Sequence, residues 1–215
     1  MGKLIKMIAV LLLISAVSGL ALGSVNLLTA KGIEENILKY KKLPAILAIC
    51  EGAIEGLDNA AKVELEKQII QNRIELEVKT GEGENKQTIT IFRIDRGGKP
   101  YSAVLEGSAQ GYGGEVGVMA GFELDHDELS GVGVTVHSET PGLGSRITGA
   151  DFLTQFRTLP FDESEIKVKK DGGNIDSISG ATVSSRAVAN GINQAKRIYL
   201  LNKEEIQKAI KEQGK

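Results

Sequence analysis

The chain has 215 residues, a formal net charge of −2, one Cys, two His, no Trp, 4% aromatic residues and 26 Gly. One Cys excludes an internal disulfide framework, and one Cys with two His offers too few ligands for an iron–sulfur cluster, a haem pair or a structural zinc site. The near-neutral charge and scarce aromatics supply neither the basic footprint nor the stacking platforms of a nucleic-acid binder.

From Met7 to Leu28 there is no charged residue, and Leu, Ile and Val crowd the segment. As a helix it reaches about 33 Å, enough for a hydrocarbon core of about 30 Å. Lys3 and Lys6 precede it. The rival to a retained anchor is a cleaved signal peptide, for which Ala21-Leu22-Gly23 offers small residues. The run is longer than a signal peptide's apolar core and continues past that point, which favours the anchor. Lys31, Lys39, Lys41 and Lys42 follow it. Long domains translocate largely regardless of flanking charge, so lysine counting leaves the orientation open. With no ionisable residue inside Met7–Leu28, the segment offers no ion path by itself.

Lys31 to Cys50 reads as a helical stalk with Ile33, Ile37 and Leu38 on one face and Pro44 as a kink or break. Cys50, after Ala45-Ile46-Leu47-Ala48-Ile49, reads as a small buried apolar residue. Glu64 to Val78 is ambiguous between helix and strand, and Gly81 to Gly83 is a turn. Thr88 to Phe92 alternates as a strand, with Ala103 to Leu105 as its partner. Gly111 to Gly114 is a flexible break. Glu115–Leu124 and Gly131–His137 form a hairpin about the polar turn Asp125–Glu128. Phe152 to Phe156 reads as a short helix and Ile166 to Lys170 as a short strand. Val188, Ile192, Ala195, Ile198 and Tyr199 recur at helical spacing, and Lys203 to Lys215 reads as a solvated helical tail. The expected fold class is α+β: a single N-terminal transmembrane helix, then a mostly antiparallel sheet domain with flanking helices. The expected divisions are an anchor at 1–30, a helical stalk and connecting region at 31–85, a folded domain at 86–202 and a charged tail at 203–215.

Three stretches carry candidate chemistry. Asp125-His126-Asp127-Glu128 has cation-binding residue types, but a solvated hairpin tip explains it, and no metal site is assigned. His137-Ser138-Glu139-Thr140-Pro141-Gly142-Leu143-Gly144 is either an ordinary turn or a loop whose glycines let backbone approach a ligand. No nucleophile-and-base constellation accompanies His137 and Glu139, so no catalytic residue is assigned. The third stretch runs from Lys170-Asp171-Gly172-Gly173 through Asp176-Ser177-Ile178-Ser179-Gly180-Ala181-Thr182 into an amphipathic helix. Helix capping accounts for one or two of its hydroxyls. It leaves unexplained a Ser-Gly-Ala-Thr run with an acidic residue upstream. Small residues would let a bulky group reach Thr182, and a phosphate there would meet free N–H groups and the positive helix end. The Gly-Lys-Ser/Thr ending of a Walker loop is missing.

Asp176…Ser179-Gly180-Ala181-Thr182 resembles the flavinylation motif of the FMN-binding domain family. That family includes the G subunit of the Rnf electron transport complex and the C subunit of the sodium-pumping NADH:quinone reductase. Glu139-Thr140-Pro141-Gly142-Leu143-Gly144 resembles its second signature, a loop beside the flavin. Gly111-Tyr112 before a strand and the single N-terminal span also fit. The resemblance covers nearly the whole chain, and makes 86–202 an FMN-binding domain. It implies that Thr182 carries FMN covalently through a phosphoester, installed from FAD by a flavin transferase. Asp176, Ser179, Gly180, Ala181, Glu139, Thr140, Leu143 and Gly144 would be binding residues. Lys170 would offset the phosphate charge, though Lys167 and Lys169 are equally near in sequence. The implied role is an electron-transfer subunit, without turnover of its own, in a membrane-bound, ion-translocating ferredoxin:NAD oxidoreductase. Its partners would be membrane and iron–sulfur subunits, a flavin transferase during maturation, and membrane lipid. The domain would lie on the extracytoplasmic side of the cytoplasmic membrane. The alternatives are a C-type quinone-reductase subunit, a stand-alone flavoprotein reductase, and a non-redox membrane-anchored scaffold in which Ser179–Ser185 merely caps a helix.

Overall fold

The structure is a computed structural model that describes residues 2–50, 59–81, 86–162 and 164–213. The ends of the expected turn at 81–83 and of the tail at 203–215 fall partly outside those residues. So does part of the stalk and connecting region at 31–85. The chain divides into two units, Met1–Tyr40 and Lys41–Lys215.

The first unit is helical: α1 runs from Gly2 to Ile37 and leads into a π-helical turn at Leu38–Lys42. Its Gly2–Ala30 portion is long and apolar enough to cross a membrane. Leu20, Leu22, Leu27 and Leu28 are each more than 70% exposed along it. So long a stripe of bare aliphatic side chains is costly in water and is at ease in lipid.

The second unit is built on one antiparallel sheet in the order β1-β2-β3-β4-β5. The strands are β1 (Arg73–Lys79), β2 (Lys86–Arg96), β3 (Lys99–Gln110), β4 (Glu115–Glu123) and β5 (Leu129–Val136). The β2–β3 connection is the two-residue loop Gly97-Gly98, and Arg96 pairs with Lys99 across it. Both glycines have positive φ, 61° and 76°, the backbone that a tight hairpin loop matched to strand twist requires.

Each face of the sheet has a helical cover. The long helix α5 (Thr182–Leu201) lays Ala187, Val188, Ile192, Ala195 and Tyr199 on the face that carries Leu105, Val118, Ala120 and Phe122. Tyr199 stacks on Phe122 with ring centroids 4.6 Å apart, and Phe161 packs edge-on to both. Against the opposite face lies α2 (Leu43–Ile49), which begins beside Pro44. Gly133 of β5 makes its seat: a Cβ there would stand 2.1 Å from the Ala45 carbonyl oxygen. Among the described residues the other α-helices are α3 (Asn59–Gln71), α4 (Ala150–Leu153) and α6 (Lys203–Gln213).

The α+β class and antiparallel sheet agree with the sequence reading, and Cys50 is buried as expected. Three local expectations change. The ambiguous Glu64–Val78 stretch splits, with α3 ending at Gln71 and β1 starting at Arg73. Ile166–Lys170 forms no strand: Val168 makes one isolated bridge to Ile175, and Lys169–Asp171 curls into a 3-10 turn. The Lys169 and Gly173 amides close that turn onto Ile175 O and Val168 O, leaving no ladder to extend. The C-terminal tail is docked, because Ile206 and Ile210 of α6 are fully buried while its charges face outward.

Candidate functional site

Thr182 is the first residue of α5 and is half-buried. Ala181 occupies the N-cap position and makes no side-chain cap. The first-turn amides of a helix have no intrahelical acceptor, so an uncapped start presents donors and a partial positive charge. Ser185 does not cap it: its hydroxyl donates to Ala181 O and accepts from Ile178 N–H, both at 3.0 Å, which fixes the loop entering the helix. Gly180 has φ 77°, and a Cβ there would lie 3.0 Å from Leu143 Cδ1. A left-handed turn under a leucine thus delivers the chain to Thr182, and only glycine adopts it cheaply.

Lys170 Nζ lies 3.0 Å from Thr182 Oγ1 and donates to it. The 3-10 turn that carries Lys170 is tied on both sides. Lys169 pairs with Asp176 at 2.7 Å. Asp171 holds Arg186 through two hydrogen bonds, at 2.6 and 2.7 Å. The Arg186 guanidinium keeps the Asp171 carboxyl below the usual carboxylate range, and Asp171 raises Arg186 in turn.

Behind the helix start lies Glu139, 5% exposed. It accepts hydrogen bonds from the Ser184 hydroxyl and from Gly113 N–H. Gly144 sits against this pair, and a Cβ there would be 2.9 Å from Glu139 Cβ, Glu139 Oε2 and Ser184 Oγ. Thr140 O accepts from Leu143 N–H and Ser145 N–H, which folds the loop back on itself. Around the helix start, Tyr112, Leu143 and Val183 are 76%, 42% and 43% exposed.

The structure thus gathers Thr182, Lys170, Ala181, Gly180, Leu143, Gly144 and Glu139 around one helix end. Glu139 braces the site from within rather than facing solvent. Asp176 turns instead to Lys169 and, through its backbone, to Gln155. Ser179 and Thr140 are exposed. Sequence reasoning did not single out Ser184 as the partner of Glu139, nor the Asp171–Arg186 pair. Arg186, four residues beyond Thr182, carried a signal, since that spacing places it on the same helix face. At the other end of the β4–β5 hairpin, Asp127 pairs with Lys203 at 2.6 Å. Among the described residues no group of three or more His, Cys, Asp and Glu is placed to hold a metal.

An ammonium group beside a hydroxyl at an uncapped helix start is a donor set for a phosphate monoanion. Exposed apolar side chains on adjoining segments suit a planar ring. Both features fit FMN.

The FMN-binding domain family matches residues 111–197. Over 133 residues the chain is 34% identical to the G subunit of the ion-translocating oxidoreductase complex of Methanosarcina acetivorans, spanning 60% of this chain and 70% of that one. The G subunits of the same complex are 38% identical in Pseudoalteromonas atlantica and 37% in Escherichia coli K12. These matches cover 59% and 56% of the relatives, so the chain spans little more than half the length of each. Among solved structures, the C subunit of the Na+-translocating NADH-quinone reductase of Parabacteroides distasonis aligns with a TM-score of 0.55. That likeness has 17% identity over 67% of this chain and 83% of that one, and it shows a shared fold.

Proposed function

Because the chain belongs to the family of G subunits of ion-translocating oxidoreductase complexes and contains an FMN-binding domain, we propose that it carries FMN covalently on Thr182 and passes electrons within such a complex. Flavin, when bound, supplies the redox chemistry, while the protein supplies position and electrostatics. This role suits a chain whose composition offers so few metal ligands of its own.

One observation carries the reading. The Thr182 hydroxyl stands at an uncapped helix start, within hydrogen-bonding distance of Lys170 and within the family match. The helix end and Lys170 would hold the phosphate. Gly180 adds no side chain beside Thr182, Gly144 lets its loop close on Glu139 and Ser184, and Leu143, Val183 and Tyr112 offer apolar surface to the ring. Glu139 keeps the loops registered from behind. A covalent tether retains the cofactor on a domain that this reading puts on the extracytoplasmic side, anchored in lipid by Gly2–Ala30. Its partners would be membrane and iron–sulfur subunits of the complex, with a flavin transferase acting during maturation. In this reading the chain passes electrons as a subunit of the complex and has no turnover of its own.

The test is coexpression of the full chain with a flavin transferase, followed by a denaturing gel under ultraviolet light and intact-mass measurement. The expected result is a fluorescent band with one FMN-sized addition, dark in Thr182→Ala. An unlabelled wild-type band sinks the covalent reading.

A further inference from the structure

We propose that Lys170, and neither of its neighbours Lys167 and Lys169, is the residue that positions the Thr182 hydroxyl for flavin transfer and then faces the phosphodiester; this rests on the reading of Thr182 as the attachment site. The three lysines are close in sequence, and the structure separates them by what each touches. Lys167 Nζ pairs with Glu165 at 2.9 Å. Lys169 Nζ pairs with Asp176 at 2.7 Å. Lys170 Nζ donates to Thr182 Oγ1 at 3.0 Å.

Lys170 is held there by its own short turn. The Asp171 amide bonds to Val168 O at 2.8 Å and the Gly172 amide to Lys169 O at 3.1 Å. On one side of Lys170, Lys169 reaches Asp176, upstream of Thr182. On the other, Asp171 grips Arg186, one turn further along α5. The base of the Lys170 side chain is therefore tied to the segments before and after Thr182. A group fixed in this way loses less freedom when its partner reacts.

In the transfer, Thr182 Oγ forms a bond to the flavin-side phosphorus of flavin adenine dinucleotide. The bond from that phosphorus to the bridging pyrophosphate oxygen breaks, and adenosine monophosphate leaves with its electron pair. The hydroxyl proton passes to a base on the transferase, and nothing is oxidised or reduced. Lys170, by donating to Oγ1, favours the negative charge that develops there and opposes repulsion from the incoming phosphates. In the product it stands beside the anionic diester, with the helix start as the second source of positive potential.

The experiment follows the time course of flavin incorporation into the full chain at limiting transferase, read by in-gel fluorescence and intact mass. Lys170→Met is expected to slow the initial rate about tenfold, as loss of one charge-assisted hydrogen bond implies. Lys170→Arg, which restores a cation, is expected to return most of the rate, and Lys167→Met to label as the wild type does. Lys170→Gln runs alongside, with thermal unfolding of every variant, so that a folding defect in one of them does not decide the outcome. Wild-type labelling rates in both neutral Lys170 variants would overturn the assignment, as would equal slowing in Lys167→Met. A wild-type chain that takes no flavin would overturn the attachment reading instead.

Discussion

Glu139 and Ser184 lie 45 residues apart in sequence, yet the buried Glu139 carboxylate accepts the Ser184 hydroxyl with one oxygen. With its other oxygen it accepts the Gly113 amide at 3.0 Å. Three segments thus meet at one carboxylate: the loop before β4, the loop after β5 and the first turn of α5. Removing it would leave a buried hydroxyl and an amide without their acceptor. Glu139→Ala is expected to destabilise the fold by about 2–3 kcal/mol, and Glu139→Gln by about 1 kcal/mol, because an amide still offers one acceptor. Urea unfolding of both variants measures this. Flavin incorporation should fall in the same order, since the helix start loses its brace.

The sheet was legible where side chains alternate. Thr88–Phe92 and the Val132, Val134, Val136 series mark β2 and β5, although both strands bury successive residues where helices cover both sheet faces and Val136 is exposed. The amphipathic spacing of Val188, Ile192, Ala195 and Tyr199 marks α5 equally well. The turn at Lys169–Asp171 was not legible, because Ile166-Lys167-Val168-Lys169 alternates like a strand. What stops a ladder there is a set of backbone bonds to Gly173 and Ile175, which leaves no trace in hydropathy. The same limit applies to the site. The motif points to Thr182, but the inward aim of Glu139 and the different partners of the three lysines depend on tertiary placement.

Gly133 shows how closely α2 packs on the sheet. Adding a methyl group there would place Cβ 2.1 Å from Ala45 O, on helix backbone that cannot yield locally. Gly133→Ala is expected to lift α2 and cost about 1–3 kcal/mol, the usual range for an overpacked core. Limited proteolysis should then cut near residues 43–50 in the variant first. Gly81→Ala, at a position where a Cβ meets nothing within 4 Å, is the control and should behave as the wild type.

Cys50 ends α2 with its thiol buried. Burial pushes its pKa up from 9.0 to about 11, against a smaller opposing pull from Arg96 and Arg157. The thiolate is the reactive form, so at pH 8 alkylation by iodoacetamide should be about a hundredfold slower in the folded chain than after unfolding. A raised folded-state pKa also fixes the sign of the linkage. The thiol opposes unfolding least where the unfolded chain ionises, so stability should decline as pH rises through 9 towards 11. Cys50→Ala should remove the part of that decline that begins near pH 9, while the raised phenols of Tyr101 and Tyr199 keep theirs at higher pH. A wild-type chain alkylated as fast when folded as when unfolded would contradict the buried placement.

Asp171 and Arg186 give the opposite dependence beside Thr182. The hydrogen-bonded guanidinium lowers the Asp171 pKa from 3.8, so the pair's contribution is complete at neutral pH and fades as pH falls through the lowered value. Both side chains are partly exposed, which keeps the stabilisation small and sensitive to salt. Asp171→Asn should therefore lower the melting temperature slightly at pH 7, and the difference should fade in acid as the Asp171 carboxyl takes up its proton. Its larger expected effect is on flavin loading. Without Asp171 the turn loses its hold on α5, Lys170 is no longer fixed over Thr182, and incorporation should slow even where the melting curves nearly coincide. Loading of Asp171→Asn at the wild-type rate would mean that the turn does not need this tie to present Lys170.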